Sequence, residues 1–392
     1  MKAGVMGRAA LAALAIAFLG SGDSGAAPRS AAAFQSVANL AAYWPLDESS
    51  GTSAADATGN GHTGFYSGGV TNSTTVAPLP LAGNLRSAQF DGTTGTIDVG
   101  NTTGLAFAGT SRFTLSAWVR PTSAPNHQMG IIEFFDDPGT GFINGYFLRL
   151  GTVGSPATGH YLKFNVGDGA TAQPEAAQPG VALPLNAWTH VAGVFNGSTL
   201  EIYKNGISVG SALSGPITAS TSTLAIAGGT PNVFAGQIDE ARIYNRDLSS
   251  TEVGFLFNGQ PAPTNLVATP GPAQIALSWT AASGATSYNV YRSTGGGFVF
   301  IASTASTSYT DTGVANPTSY SYQVTAVGVL ESAPLGPVSS VPLPTLPKTV
   351  SSRESTNLAH RCGCDSIASP PGLAVLGAAA LLALAGGLLR RS

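Results

Sequence analysis

The sequence predicts an all-β chain, a large β sandwich followed by a smaller one, with a single C-terminal transmembrane helix. Three observations carry this. Apolar and polar residues alternate in short runs, the period of strands that bury one face. Clusters of Gly, Asn, Asp and Ser separate the runs, and 50 Gly and 25 Pro among 392 residues supply turns throughout. Finally, residues 371–389 carry no charge and end against Arg390-Arg391, the length and flank of a membrane span whose tail stays inside.

Composition narrows the function classes. Only 9% of the residues are charged, against about 25% in an ordinary soluble domain. With 17 Lys plus Arg and 20 Asp plus Glu the net charge is -3, which offers no basic surface for a phosphate backbone and argues against nucleic acid as a partner. A hydrophobic share of 43% is enough for true cores and argues against disorder. Both cysteines, Cys362 and Cys364, lie near the C-terminus, so the globular regions hold no disulfide or multi-cysteine zinc site.

Taken in chain order, Lys2 and Arg8 precede the apolar run Ala9 to Leu19 and small residues through Ala27, the layout of a signal peptide over 1–27. The body is therefore expected to be exported to the cell surface or outer envelope. A large β domain is predicted over 38–259. Within it, Phe113-Thr-Leu-Ser-Ala-Trp-Val119 puts Phe113, Leu115, Ala117 and Val119 on one face. The run Trp188 to Phe195 is largely apolar on both faces, as a central strand covered on both sides would be. Leu200 to Lys204, Asn205-Gly206 and Ile207 to Val209 read as a hairpin with a type I′ turn. At Ser249 the period changes: Ser249-Ser-Thr-Glu252 is a capping box, Val253 and Leu256 follow, and Gly259 can end a short helix. Pro261-Ala-Pro263 reads as a stiff spacer, a second β domain follows over 261–344, and 345–361 reads as a flexible tether.

Particular motifs sharpen the picture. Ala42-Tyr-Trp-Pro-Leu-Asp-Glu48, Asp56 to Gly64, Phe90-Asp-Gly92, Phe113 to Pro121, Trp188-Thr-His-Val-Ala192, Lys204-Asn-Gly206 and Gly236 to Leu248 follow one another in the order of the laminin-G-like, concanavalin A-like jelly roll family, which residues 38–259 resemble. The resemblance implies two curved antiparallel sheets. Residues 261–344, with Ile275-Ala-Leu-Ser-Trp279, Tyr288-Asn-Val-Tyr-Arg292 and Tyr320 to Val327, resemble a fibronectin type III sandwich in which Trp279 is the core tryptophan and Tyr320 the tyrosine corner. Cys362-Gly-Cys364, the helix 371–389 and Arg390-Arg391 resemble the myxobacterial C-terminal sorting signals over 362–392. That resemblance implies a sorting protease as a partner, with processing at Cys362 and Cys364.

Catalysis finds little support. A glycoside hydrolase needs two carboxyls about 5 to 9 Å apart, which on one strand means positions i and i+2. No two carboxylates of the chain are so spaced; Glu133 and Asp137 are four apart, and Asp47-Glu48 and Asp239-Glu240 are neighbours pointing to opposite faces. The one Gly-x-Ser-x-Gly match, Gly206 to Gly210, lies in the hairpin and not at a strand-to-helix elbow. His190 shares its strand face with Trp188, Ala192 and Val194 and is expected in a core, whereas His62 is expected to be exposed.

A metal and a ligand site are the better candidates. Asp239 is expected to share an inward face with Ala241 and Ile243, where a carboxylate needs a cation or an arginine. The loop Asp56 to Gly64 offers Asp56, Asn60 and a pliable backbone, and calcium takes six to eight oxygens of this kind. The jelly roll resemblance implies a structural calcium held by such loop and final-strand acids, so the candidate ligands are Asp47, Asp56, Asn60 and Asp239. The alternative makes Asp56 an Asx-turn residue and pairs Asp239 with an arginine. For ligand binding, Asn126, His127, Phe134, Phe135 and Tyr146 mix aromatic and polar groups as carbohydrate sites do, or else are strand core. The expected function is that of an exported, surface-anchored, non-catalytic binding or adhesion protein recognising extracellular glycan or protein. Its rivals are a structural spacer or coat protein and a glycan-cleaving enzyme.

Overall fold

The strands of the first sandwich are β1 (Leu40–Trp44), β2 (Ser53–Ala54), β3 (Gly64–Ser67), β4 (Val70–Ser73), β5 (Ser87–Asp91), β6 (Thr96–Val99), β7 (Phe113–Pro121), β8 (Met129–Asp136), β9 (Asn144–Val153), β10 (Gly159–Asp168), β11 (Ala176–Ala177), β12 (Thr189–Phe195), β13 (Thr199–Lys204), β14 (Ile207–Leu213), β15 (Leu224–Ile226) and β16 (Ala235–Tyr244), followed by the helix α1 (Ser250–Asn258). The structure, a computed structural model, describes residues 37–345 apart from 80–83, 101, 137–141, 154–158, 172–174 and 179–181. The expected signal peptide (1–27), most of the tether (345–361), and the sorting signal (362–392) with Cys362, Cys364 and the helix 371–389 lie outside the described residues. Among the described residues, no helix is long and apolar enough to cross a membrane.

The first sheet runs β14-β13-β12-β7-β16-β5-β4, with β1 also paired to β16, and the second runs β11-β10-β9-β8-β15-β6-β3-β2. Between them, Phe113, Leu115, Ala117 and Val119 of β7 enter the main core, as their period of 2 predicts. β12 lies between β13 and β7 and is buried along its whole length, in keeping with its two apolar faces. Val191 and Phe195 point into the core, while Ala192 and Val194 point outward. The hairpin β13–β14 turns through Asn205 and Gly206 at φ 51 and 76, the two positive values of a type I′ turn. α1 begins with the capping box: Ser249 Oγ accepts from Glu252 N–H, and the Glu252 carboxylate accepts from Ser249 N–H.

β16 departs from the alternation expected of it. Its first half pairs with β5 and its second with β1, and at the change of partner a bulge lies between Asp239 and Arg242, with Glu240 at φ 56. The extra residue breaks the period of 2. Ile238, Ala241 and Ile243 face the core, but Asp239 stands opposite Trp118 on the outer face. The expectation that Asp239 shares an inward face with Ala241 and Ile243 is corrected by this bulge.

The second sandwich packs β17 (Thr264–Gly271), β18 (Gln274–Thr280) and β21 (Ser308–Asp311) against β19 (Ser287–Ser293), β20 (Val299–Thr304), β22 (Tyr320–Val327) and β23 (Leu335–Ser340). Trp279, Tyr288, Val290, Tyr322 and Val324 form its core. The Tyr320 hydroxyl accepts the Ala315 N–H at 3.1 Å, the fastening of a tyrosine corner. The two sandwiches touch, so the segment 261–263 does not hold them apart. Tyr43, Ala192, Val194, Tyr203 and Tyr244 on the outer face of the first sheet, Val253 and Leu256 of α1, and Val327, Val329 and Leu330 of the second sandwich form one buried cluster. The Tyr244 hydroxyl donates to the Val329 carbonyl across it at 2.8 Å.

Candidate functional site

The second sheet presents its chemistry on its outer face. Ile132, Phe134, Tyr146, Leu148, Leu150, Leu162, Phe164 and Val166 point into the core, so the alternating residues Glu133, Phe135, Phe147, Arg149, Tyr161, Lys163 and Asn165 point outward. Register then assembles a row. Phe65 of β3 lies opposite Asp98 of β6, Asp98 opposite Ala225 of β15, Ala225 opposite Glu133, Glu133 opposite Phe147, and Phe147 opposite Asn165 of β10. With strands about 4.8 Å apart, the row spans roughly 24 Å.

Its middle and its Asn165 end are sunken, and its Phe65 end is exposed. Glu133 and Arg149 are buried, while Phe65 is 53% exposed and Asp98 is exposed. Arg149 Nε lies 2.7 Å from Glu133 Oε1, and its guanidinium stacks 3.6 Å from the Phe147 ring centre and 4.8 Å from that of Phe135. Burial pushes the Glu133 carboxyl up to about 7, against the opposing pull of the Arg149 charge. Arg149 Nη2 is buried with no hydrogen-bond partner among the described residues. Beside this pair, Lys163 Nζ lies 2.9 Å from Glu175 Oε2. Lys163 and Tyr161 lean over Gly151, where a Cβ would stand 2.6 and 2.8 Å from them. At the far end the Phe65 ring covers Gly100. Open aromatic faces beside carboxylates and ion pairs suit the C–H faces and hydroxyls of sugars.

The predicted ligand residues divide between surface and core. Phe135 joins the outer face, half-buried, and Asn126 is exposed in the loop before β8. His127 lies at the same end of the sheet, where its carbonyl is 3.0 Å from His160 Nε2. Phe134 and Tyr146 instead pack edge-to-face in the core, their ring centres 5.7 Å apart, and the Tyr146 hydroxyl donates to the Leu105 carbonyl. Sequence reasoning missed Phe65, Asp98, Phe147, Arg149 and Lys163. The signal was there in Phe147-Leu-Arg149 and Tyr161-Leu-Lys163-Phe-Asn165, where apolar residues interleave with aromatic and charged ones.

The four candidate metal ligands fall into two places. Asp56 organises its own loop: Oδ1 accepts from the N–H groups of Tyr43 and Thr58 and from the Thr58 hydroxyl, and Oδ2 from the His62 N–H. Asn60 donates to the Ala41 carbonyl at 2.9 Å, fastening the same loop to β1. His62 is drawn in with it and buried, since its carbonyl accepts from Trp44 Nε1. Asp47 and Asp239 instead flank the segment leading into β5. Asp47 Oδ1 accepts the N–H groups of Leu85 and Arg86, and Asp239 Oδ2 that of Ala77. Asp239 Oδ1 and Asn84 Oδ1 are buried acceptors without donors among the described residues. Burial, reinforced by the charges of Glu240 and Asp47, pushes the Asp239 carboxyl well above the usual range. Arg242 pairs with Glu240 and not with Asp239, and Glu240 also accepts from the Tyr43 hydroxyl at 2.7 Å. Among the described residues no three His, Cys, Asp or Glu side chains gather as a metal cluster.

His190 is fully buried on the outer face of the first sheet, its Nε2 2.9 Å from Ser116 Oγ and its ring beside Trp118. Burial, helped by the Arg242 charge, pulls it down to about 3, so the ring is neutral. Its Nδ1 has no hydrogen-bond partner among the described residues, so no carboxylate completes a catalytic triad with Ser116.

Residues 91–254 match the Laminin_G_3 family, described as the concanavalin A-like lectin/glucanases superfamily, and a concanavalin A-like jelly roll domain is present there. Among curated proteins, an amylopullulanase of Thermoanaerobacterium saccharolyticum is 40% identical over 88 residues, which are 22% of this chain and 7% of that enzyme. An amylopullulanase of Thermoanaerobacter thermohydrosulfuricus is 34% identical over 132 residues, 33% of this chain and 8% of the enzyme, so the chain spans only a small part of these relatives. Among solved structures, domain 4 of an extracellular arabinanase from Geobacillus stearothermophilus, in complex with arabinotriose, aligns at 22% identity and a TM-score of 0.40 over 56% of this chain and 98% of that one. A fibronectin-like (Fn3-like) protein from Clostridium thermocellum aligns at 41% identity and a TM-score of 0.20 over 21% of this chain and 92% of that one.

Proposed function

We propose that this protein is an exported, surface-anchored, non-catalytic binding protein whose jelly roll recognises an extracellular glycan through the outer face of its second sheet. The observation that carries this is the outer face of the second sheet, where the row from Phe65 to Asn165 sets an exposed aromatic ring and carboxylate on one side of the Arg149–Glu133 pair, Phe135 follows Glu133 along β8, and Lys163 stands opposite Arg149 with Tyr161 next to it along β10. The lectin and glucanase character of the matching family supports a sugar ligand. The test is a glycan array with the full chain, followed by Phe135→Ala. Saturable binding that weakens at least tenfold in the variant at an unchanged melting temperature is the expected result. No saturable ligand would favour the structural spacer or coat reading.

One observation favours a glycan-cleaving enzyme as a second reading. Asp98 and Glu133 face the same side with Ala225 between them, about 9 to 10 Å apart by strand spacing, at the edge of the separation inverting glycosidases use. Against it, Glu133 is buried and held by Arg149, which keeps its proton from a substrate. Release of reducing sugar, abolished by both Asp98→Asn and Glu133→Gln, would overturn the non-catalytic reading.

Calcium belongs to the proposal with a revised donor set. The buried Oδ1 atoms of Asp239 and Asn84, with the charge of Asp47 close by, are oxygen donors of the kind calcium takes, in place of the Asn84 amide that now helps hold the Asp239 charge, whereas Asp56 and Asn60 are committed to their loop. Bound there, the ion would tie Asn84 to Asp239 in the middle of β16. Melting with calcium and with excess chelator tests it; coincident curves would leave Asp239 protonated instead. The signal peptide, the membrane helix and cleavage by a sorting protease near Cys362 and Cys364 are proposed from the sequence, and mass spectrometry of the mature chain checks all three.

A further inference from the structure

We infer that the outer face of the second sheet selects neutral glycans over anionic ones, and that Glu175 sets this selectivity by holding Lys163. This rests on the glycan-binding reading above. The strands of the second sheet contain two basic residues, Arg149 and Lys163. Both lie on the outer face and both are paired, at 2.7 Å with Glu133 and at 2.9 Å with Glu175. The sequence between 122 and 183 holds no other Lys or Arg, so its connecting segments bring no further cation. Meanwhile Asp98 leaves an exposed carboxylate beside Phe65.

A uronate or sulfate laid on this face therefore meets Asp98 and Glu175, with Lys163 held by Glu175 and Arg149 buried against Glu133. Like charges brought together in a partly desolvated site repel, and an anion without a cationic partner loses hydration for nothing in return. A neutral sugar meets neither obstacle. Its apolar face stacks on Phe65, and its hydroxyls bond to the exposed carboxylate oxygens of Asp98. The two ion pairs differ in access. Glu133 and Arg149 are buried together, whereas the Glu175 side chain is 36% exposed over a Lys163 side chain at 13%. Glu175 is thus the carboxylate whose loss uncovers a cation where a ligand would reach it.

The experiment compares neutral polysaccharides (linear arabinan and amylose) with anionic ones (polygalacturonate and heparin) on immobilised full chain and on Glu175→Gln, at about 20 mM and about 300 mM salt, concentrations that bracket the range over which exposed charges become screened. Wild-type protein is expected to bind a neutral probe with less than a twofold change between the two salts, and to bind neither anionic probe. Glu175→Gln, checked for an unchanged melting temperature, is expected to gain polygalacturonate binding at low salt and lose it at high salt. Salt-sensitive binding of an anionic probe by the wild type would overturn the selectivity while leaving the glycan reading intact. A variant that binds neutral probes yet gains nothing would overturn the role of Glu175. Failure of the wild type to bind any glycan would overturn the reading beneath both.

Discussion

The two outer faces of the first sandwich are made from equally regular strands and meet opposite fates. On the first sheet, α1, the segment leading into β5 and the second sandwich cover the face, and its polar groups are turned on one another: Tyr43 and Arg242 on Glu240, Ser116 on His190. On the second sheet the corresponding positions carry an aromatic and charged row whose Phe65 end remains exposed. An antiparallel sheet can leave one face to solvent, and this sandwich has two such faces. One is covered by assembly within the chain, which leaves the other open to solvent at its Phe65 end.

Substitution under the cover should show the largest effect. Leu256 of α1 is fully buried in the cluster that joins helix, sheet and second sandwich. Leu256→Ala removes packed methyl groups from a site that cannot collapse freely, so a loss of about 2 to 5 kcal/mol is expected in urea denaturation. Because the cluster spans both sandwiches, the fluorescence of Trp279 in the second should follow the same transition as that of the jelly roll. Two separated transitions would show that the shared cluster does not couple them.

His190 and Glu133, on opposite faces, act on the pH dependence of stability with opposite signs. His190, under the cover, is held near 3, below the ordinary value of 6.5, so between those values the unfolded chain binds the extra proton and stability rises with pH. Glu133, on the other face, is raised from 4.5 to about 7, so across that window the folded chain holds the extra proton and stability falls as pH rises. Each leg is worth a few kcal/mol. Glu133→Gln should make the fall from about pH 5 to 7 shallower, the remainder belonging to Asp239, whose carboxyl burial also raises. An unchanged slope in the variant would assign the whole fall to another carboxyl, Asp239 first.

A smaller effect follows from the hydrogen bond that crosses between the sandwiches. Tyr244→Phe keeps the ring in the cluster but leaves the Val329 carbonyl without its donor, so a loss of about 0.5 to 1.5 kcal/mol is expected by thermal melting. No change would mean that the apolar contacts alone hold the joint.

Much of the fold was legible because it rests on local patterns. The alternation of β7, the two apolar faces of β12, the Asn205-Gly206 turn and the Ser249 capping box each depend on neighbours within a few residues. What could not be read depends on register. Glu133 and Arg149 lie 16 residues apart and meet only because of how β8 pairs with β9, which itself carries an irregularity between Gly130 and Ile132. The same pairing decides that Phe135 faces outward while Phe134 and Tyr146 face the core. Asp239 was misplaced because a single bulge residue, Glu240, reverses the faces beyond it. The chemistry of loop 56–62 was half legible, since Asp56 does make an Asx-type turn with Thr58.

The smallest expected stability change comes at the most exposed end of the ligand face. Phe65 is 53% exposed on β3, and its ring covers only Gly100, so little packing is lost when it is removed. Phe65→Ala should shift stability by no more than about 0.5 kcal/mol, the scale of surface substitutions. Binding should respond very differently. A sugar stacked on that ring loses its apolar contact outright, so affinity for the neutral glycan bound by the wild type should fall at least tenfold, or about 1.4 kcal/mol. The opposite pattern would break the comparison between the faces. If Phe65→Ala unfolds the protein while the folded fraction binds normally, that aromatic ring serves the sandwich and not a partner, and recognition must lie elsewhere on the face, at Phe135 of β8 or at Tyr161 and Lys163 of β10.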